Sequence, residues 1–180
     1  MKILIIVLIV IATLIAIFLV IALFIKKEYA VEREIIINKP KQKVFDYVKY
    51  LKNQDNYSKW ATMDPKMKKD SRGTDGTIGF VSAWDSDHKN VGKGEQEIKE
   101  ITQGERIDLE LRFLKPFPGM ANAFITTEII GENQTKVIWG FESRMNYPMN
   151  LMLLFMDMNN LIGRDLETGL TNFKTILEKE

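Results

Sequence analysis

The chain has 180 residues, enough for one domain with an appendage. Lys and Arg number 25 against 24 Asp and Glu, a formal charge of +1, so nothing in the charge points to nucleic acid or an acidic substrate. There is no cysteine and His88 is the single histidine, which excludes disulfides, thiol nucleophiles and Cys- or His-based metal clusters.

Residues 3–25 hold no charge, no Gly and no Pro, and Thr13 is their only polar member. As a helix this run is about 34 Å long, enough to cross a hydrocarbon core of about 30 Å. A cleaved signal peptide would have a shorter apolar region, of about 7–15 residues, and small residues at its end. Here the run stops at Lys26-Lys27-Glu28 with no A-x-A site, so an uncleaved anchor is expected. The chain then divides into an anchor, 1–27, and a domain, 28–180. Lys26, Lys27 and Arg33 outweigh Lys2 and the amino terminus, and the positive-inside rule puts the domain in the cytoplasm at a single-pass membrane anchor.

Val31 to Ile37 reads as a strand ended by Asn38-Lys39-Pro40. Val44, Phe45, Val48 and Leu51 recur at helical spacing, and a second short helix or turn runs to Trp60. Asp64 to Asp70 reads as a polar loop, after which the period changes to two. Ile78, Phe80, Ser82 and Trp84 form one strand face, and Gln96 with Ile98 another. In Arg106 to Phe113 the residues Ile107, Leu109, Leu111 and Phe113 share a face opposite Asp108, Glu110 and Arg112. Gln103-Gly104-Glu105 makes the hairpin before it. Phe124–Ile130 and Lys136–Arg144 are two further strands, and Val137, Trp139 and Phe141 point one way in the last.

Pro148 to Glu178 then carries Leu151, Leu154, Phe155, Met158, Leu161, Ile162, Leu166, Leu170, Phe173 and Leu177 in steps of three and four. A continuous helix of that length is roughly 45 Å long. The expectation is an α+β domain: a curved antiparallel sheet wrapped around one long C-terminal helix, preceded by one transmembrane helix.

The element order, with TKVIWGF at 135–141, GRDLETGLTNFKTILE at 163–178, GKGEQEI at 92–98 and RIDLELRFLKPF at 106–117, resembles the SRPBCC or START-like superfamily with its helix-grip fold. Within it the likeness is to bacterial proteins of the polyketide cyclase/dehydrase-like group, and it spans nearly all of residues 30–180. The resemblance implies a cavity between sheet and helix for a hydrophobic small molecule or lipid, and no cofactor. It carries no universal catalytic motif.

If the face of Ile107 is inward, Gln96, Leu109, Leu111, Phe113, Trp139, Phe141, Met158 and Leu161 are the candidate ligand wall. Gln96 must then find a hydrogen bond, either to a ligand or within the protein. Glu128 shares a face with Phe124 and Thr126, and the pattern leaves open whether that face is inward. An inward Glu128, or Asp165 beside the helix stripe, is a candidate general acid or base with a raised pKa. Asn150 to Met156 is apolar on all sides and either closes the cavity or touches the bilayer. Three readings stay open: a binding module, a cyclase- or dehydratase-type enzyme, and an envelope scaffold with a closed cavity.

Overall fold

The computed structural model describes residues 1–179. The apolar run forms α1 (Lys2–Phe24), and residues 25–27 lead from it into β1 (Glu28–Ile37). Three short helices follow, α2 (Lys41–Val48), α3 (Gln54–Tyr57) and α4 (Lys59–Met63), with a 3-10 turn at Leu51–Asn53. Asp75, from a later loop, accepts the N–H groups of Leu51 and Lys52 and so fixes that turn. The strands β2 (Lys68–Arg72), β3 (Val81–Asp85), β4 (Lys93–Thr102), β5 (Arg106–Lys115), β6 (Gly119–Gly131) and β7 (Gln134–Arg144) form an antiparallel meander. β1 returns beside β7, with Val31 opposite Phe141 and Ile35 opposite Val137, giving the order β1-β7-β6-β5-β4-β3-β2.

The register puts the start of β1, the ends of β3, β5 and β7 and the starts of β4 and β6 at one end of the sheet, the end where α1 enters. That end is called the near end below. The inner sheet face carries Val31, Ile37, Ile98, Ile107, Leu109, Ile125, Val137 and Trp139, all buried. Across it lies α5 (Met158–Lys179), whose Leu166, Leu170, Phe173 and Leu177 are buried at steps of four, three and four. Each such side chain, fully buried, is worth about 1.5–3 kcal/mol, which is why this stripe rather than helix propensity holds α5 in place.

Three expectations need correction. The segment 148–178 is not one helix. Met149–Leu154 is a 3-10 helix, and α5 begins only at Met158. Asp157 is the cause: its carboxylate Oδ1 accepts the Asn160 N–H at 3.0 Å and its carbonyl accepts the Leu161 N–H at 2.9 Å, which is N-cap geometry. With 22 residues, α5 is about 33 Å long. Part of the loop at Asp64–Asp70 is β2, whose five residues are all exposed, so no alternation marks it in the sequence. A charged, short edge strand of this kind discourages further strand pairing. The strand read from Ile78 begins at Val81, because Phe80 and Val81 are both buried and the alternation breaks there.

Candidate functional site

α5 rests on β1 and on α3 and α4, and its first half faces the middle of the sheet across a gap. The gap is a cavity of about 360 Å³. Its apolar wall comes from Leu109, Leu111 and Phe113 of β5, Ala123 of β6, Trp139 and Phe141 of β7, and Ile162 and Leu166 of α5. These alternate residues meet because strand pleating sends every second side chain to the same face. Trp60 meets Trp139 edge-on at 6.3 Å between centroids, and Trp84 meets Phe113 at 6.2 Å, so paired aromatic rings stiffen two corners.

One polar cluster of the wall lies on β3 and β4. Ser82 and Gln96 are opposite each other in the β3–β4 pairing, and both line the cavity. Gln96 Nε2 donates to Gln54 Oε1 at 3.0 Å, and Gln54 lines the cavity too. The Gln54 amide nitrogen lies against the Tyr57 hydroxyl, but the pair makes no well-directed hydrogen bond and both atoms are buried. Burial raises the Tyr57 phenol well above its ordinary pKa, so it stays neutral. Asp55 and Lys69 close one rim with a 3.0 Å ion pair.

At the near end, Tyr29, Met120 and Ser143 line both the cavity and a neighbouring surface groove of about 900 Å³ bounded by Ile25, Lys26, Lys27 and Arg144. Ser143 Oγ donates to the Met120 carbonyl at 2.9 Å. Burial raises the Tyr29 pKa, opposed by its hydrogen bond with Ser143.

Of the residues expected on the wall, Gln96, Leu109, Leu111, Phe113, Trp139 and Phe141 line the cavity. Met158 packs at the edge of the core, away from it, and Leu161 is 55% exposed. Both lie on the first turn of α5, where the helix passes the end of the cavity. Asn150 to Met156 does not close the cavity, for Met149, Met152, Leu154 and Phe155 are exposed and none lines it.

The two candidate acids stand elsewhere. The inner face of β6 carries Ala121, Ala123, Ile125 and Thr127, so Glu128 points out, 62% exposed and 2.6 Å from Lys136 Nζ. An acid or base role inside the cavity is closed to it. Asp165 is half-buried on α5; burial raises its pKa against the pull of Lys59, and it does not line the cavity. Arg112 lies on the outer face, where it bonds Glu95 and Glu97 at 2.8 Å each and also Glu110.

The sequence reading missed Gln54, Trp60, Trp84 and Ala123. Trp84 and Ser82 share the strand face noted above, which was the available signal. Gln54 and Trp60 sit on helices of four and five residues, too short to show a period.

No family model matches the chain. No curated protein matches it either. Solved structures do. Norcoclaurine synthase from Thalictrum flavum superposes with TM-score 0.61 at 7% identity, covering 86% of this chain and 96% of that one. Ara h 8.0201 gives TM-score 0.59 at 11% identity over 85% of this chain and 99% of that one. A Staphylococcus aureus protein of unknown function, SA2116, gives 0.62 at 8% identity over 86% and 96%. These likenesses are of fold: the domain is α+β with the helix-grip architecture, an antiparallel sheet of seven strands gripping a C-terminal helix.

Proposed function

We propose that the protein binds a hydrophobic small molecule or lipid bearing a polar group, in a domain of the SRPBCC or START-like superfamily tethered to a membrane by α1. The observation that carries this reading is the cavity. At about 360 Å³ it falls within the range of ordinary ligand sites, roughly 300–1,000 Å³, and its largely apolar wall carries polar groups on β3 and β4 and, as Tyr29 and Ser143, at the near end. The apolar wall excludes water and rewards buried ligand surface at about 25 cal/mol per Å². Gln96, held by Gln54, and Ser82 orient the ligand's polar atom, since an unpartnered polar group in such a wall is costly. A flexible alkyl or polycyclic ligand fits this division of labour.

Ionisable side chains on the wall are few, and Asp55 and Lys69 neutralise each other at the rim. That favours binding over acid–base turnover. The tether reading is supported by α1, 23 residues long and without a charged residue after Lys2. It is supported also by Asn150, whose buried amide donates to the Ala22 and Ile25 carbonyls at 2.7 and 3.0 Å. A helix end integrated with the domain in this way is suited to stay attached. The basic residues Lys26 and Lys27 favour a cytoplasmic domain.

Native mass spectrometry of the full chain, extracted in mild detergent from its own host, tests the binding reading. A retained adduct of lipid or polyketide size is expected, and Leu111→Trp, which fills the cavity, abolishes it. Identical adducts on both proteins would refute the assignment of the cavity as the site.

A further inference from the structure

We infer that the near end of the domain is itself a bilayer-contacting face, seated in the interfacial layer by the apolar 3-10 segment Met149–Leu154, with Phe155 at its edge, and by the β5–β6 turn. This deepens the proposed tether and rests on it.

Three observations carry it. The first is depth. Asn150 Nδ2 donates to the carbonyls of Ala22 and Ile25, in the last turn of α1 and the residue that ends it. A helix rises 1.5 Å per residue, so Asn150 stands within about 5 Å of the end of α1. α1 spans about 34 Å against a hydrocarbon core of about 30 Å, which places that turn at the interface. There the last carbonyls of a helix have no partner within it, and Asn150 supplies a donor to two of them. Ala22, the one buried residue of α1, is small enough to let the segment approach closely.

The second is exposure. Phe155 is 77% exposed, Leu154 57%, Met149 53% and Met152 41%. Contiguous exposed apolar side chains of this size on a folded domain mark a protein- or membrane-contacting site. The end of α1, which this segment contacts, is exposed too, with Leu23 at 64% and Phe24 at 85%, so two exposed apolar elements meet here.

The third is topology. The β5–β6 turn, with Phe117 78% exposed, and Met120 at the start of β6, 59% exposed, are brought to the same end by the register that pairs Phe113 with Gly119. Met120 also lines the cavity and the adjoining groove. A domain seated on this end holds the mouth at Tyr29, Met120 and Ser143 against the lipid, so a hydrophobic ligand passes between bilayer and cavity without crossing water. The occupant is lipid rather than a second protein, because the patch continues the surface of an apolar helix that needs lipid along its whole length.

The chain has no cysteine, so single labelling sites are clean. Phe155→Cys, Leu14→Cys and Ile129→Cys, each carrying a small fluorophore, are placed in full-length protein in phosphatidylcholine/phosphatidylglycerol vesicles. Quenching is measured with nitroxide-bearing lipid and with aqueous iodide. Ile129 is 62% exposed at the far end of the sheet and serves as the water control. The expected result is loss of most emission to the lipid quencher at positions 155 and 14, and loss to iodide at 129. Iodide quenching at 155 with lipid quenching at 14 would overturn the inference and leave the tether standing. Protection of 155 from both quenchers would overturn it in favour of a covering protein, such as a second copy. Absence of lipid quenching at 14 would overturn the tether and this inference together.

Discussion

The Trp139 indole lies directly against Gly169 of α5: a Cβ at Gly169 would stand 2.7 Å from Trp139 Cζ3 and 3.5 Å from the Tyr57 carbonyl. The bare backbone at this position lets the helix settle on the sheet while Trp139 still reaches the cavity wall. Gly169→Ala gains up to about 1 kcal/mol of helix propensity but overpacks a rigid ring, at about 1–3 kcal/mol. The net expectation is a loss of up to about 2 kcal/mol in urea unfolding. At Gly163 a Cβ meets the Arg33 guanidinium instead, the flexible end of a side chain that donates to the Asn159 carbonyl at 2.7 Å. Gly163→Ala is expected near neutral, since about 1 kcal/mol of propensity offsets one displaced hydrogen bond. Equal losses at both positions would refute this packing account.

Asp157 sets where α5 starts. Asp157→Ala removes the acceptor for the Asn160 N–H and is expected to destabilise by about 0.5–2 kcal/mol, while Asp157→Ser retains most of the stability. Hydrogen exchange at residues 158–161 checks it, with faster exchange in the Ala variant only.

Acid should weaken the outer face. Hydrogen bonds from Arg72 and Arg112 hold the Glu95 carboxyl below its usual pKa, and those from Arg112 and Lys99 do the same for Glu97. A carboxyl depressed in the folded state stabilises above the unfolded pKa, about 4.3, and that contribution disappears as pH falls through the folded value. Arg112→Met is therefore expected to lose about 1 kcal/mol at neutral pH. Its deficit in thermal unfolding shrinks as pH drops below about 4. A deficit independent of pH would point to packing instead.

Asp165 has the opposite sign. Burial raises its pKa, so its ionised form opposes folding: the folded state is relatively favoured at low pH, and this is lost as pH rises through the folded value. Asp165→Asn is expected to raise Tm by about 1–2 °C at neutral pH, with no gain below about pH 4. A lower Tm at neutral pH would show that the attraction of Lys59 outweighs desolvation.

Much of the fold is legible in the sequence because the signals are local. The apolar run of α1, the alternation of Ile107, Leu109, Leu111 and Phe113, and the stripe Leu166, Leu170, Phe173 and Leu177 each repeat with the period of the element they build. The inner wall of the cavity follows from the same alternation, so Gln96, Trp139 and Phe141 were identifiable in advance.

What the tertiary structure decided is what periodicity cannot carry. The face of Glu128 depended on which neighbours β6 pairs with, since Phe124–Ile130 is apolar on both sides. The partner of Gln96 comes from 42 residues away on a helix of one turn. The break before α5 lies within an apolar stretch that matches a helix at every step, and only the Asp157 cap and the docking of Asn150 onto α1 interrupt it. Hydrophobic period reports which face a residue occupies within its own element. Where two elements meet is settled by hydrogen bonds and shape between residues far apart in the chain.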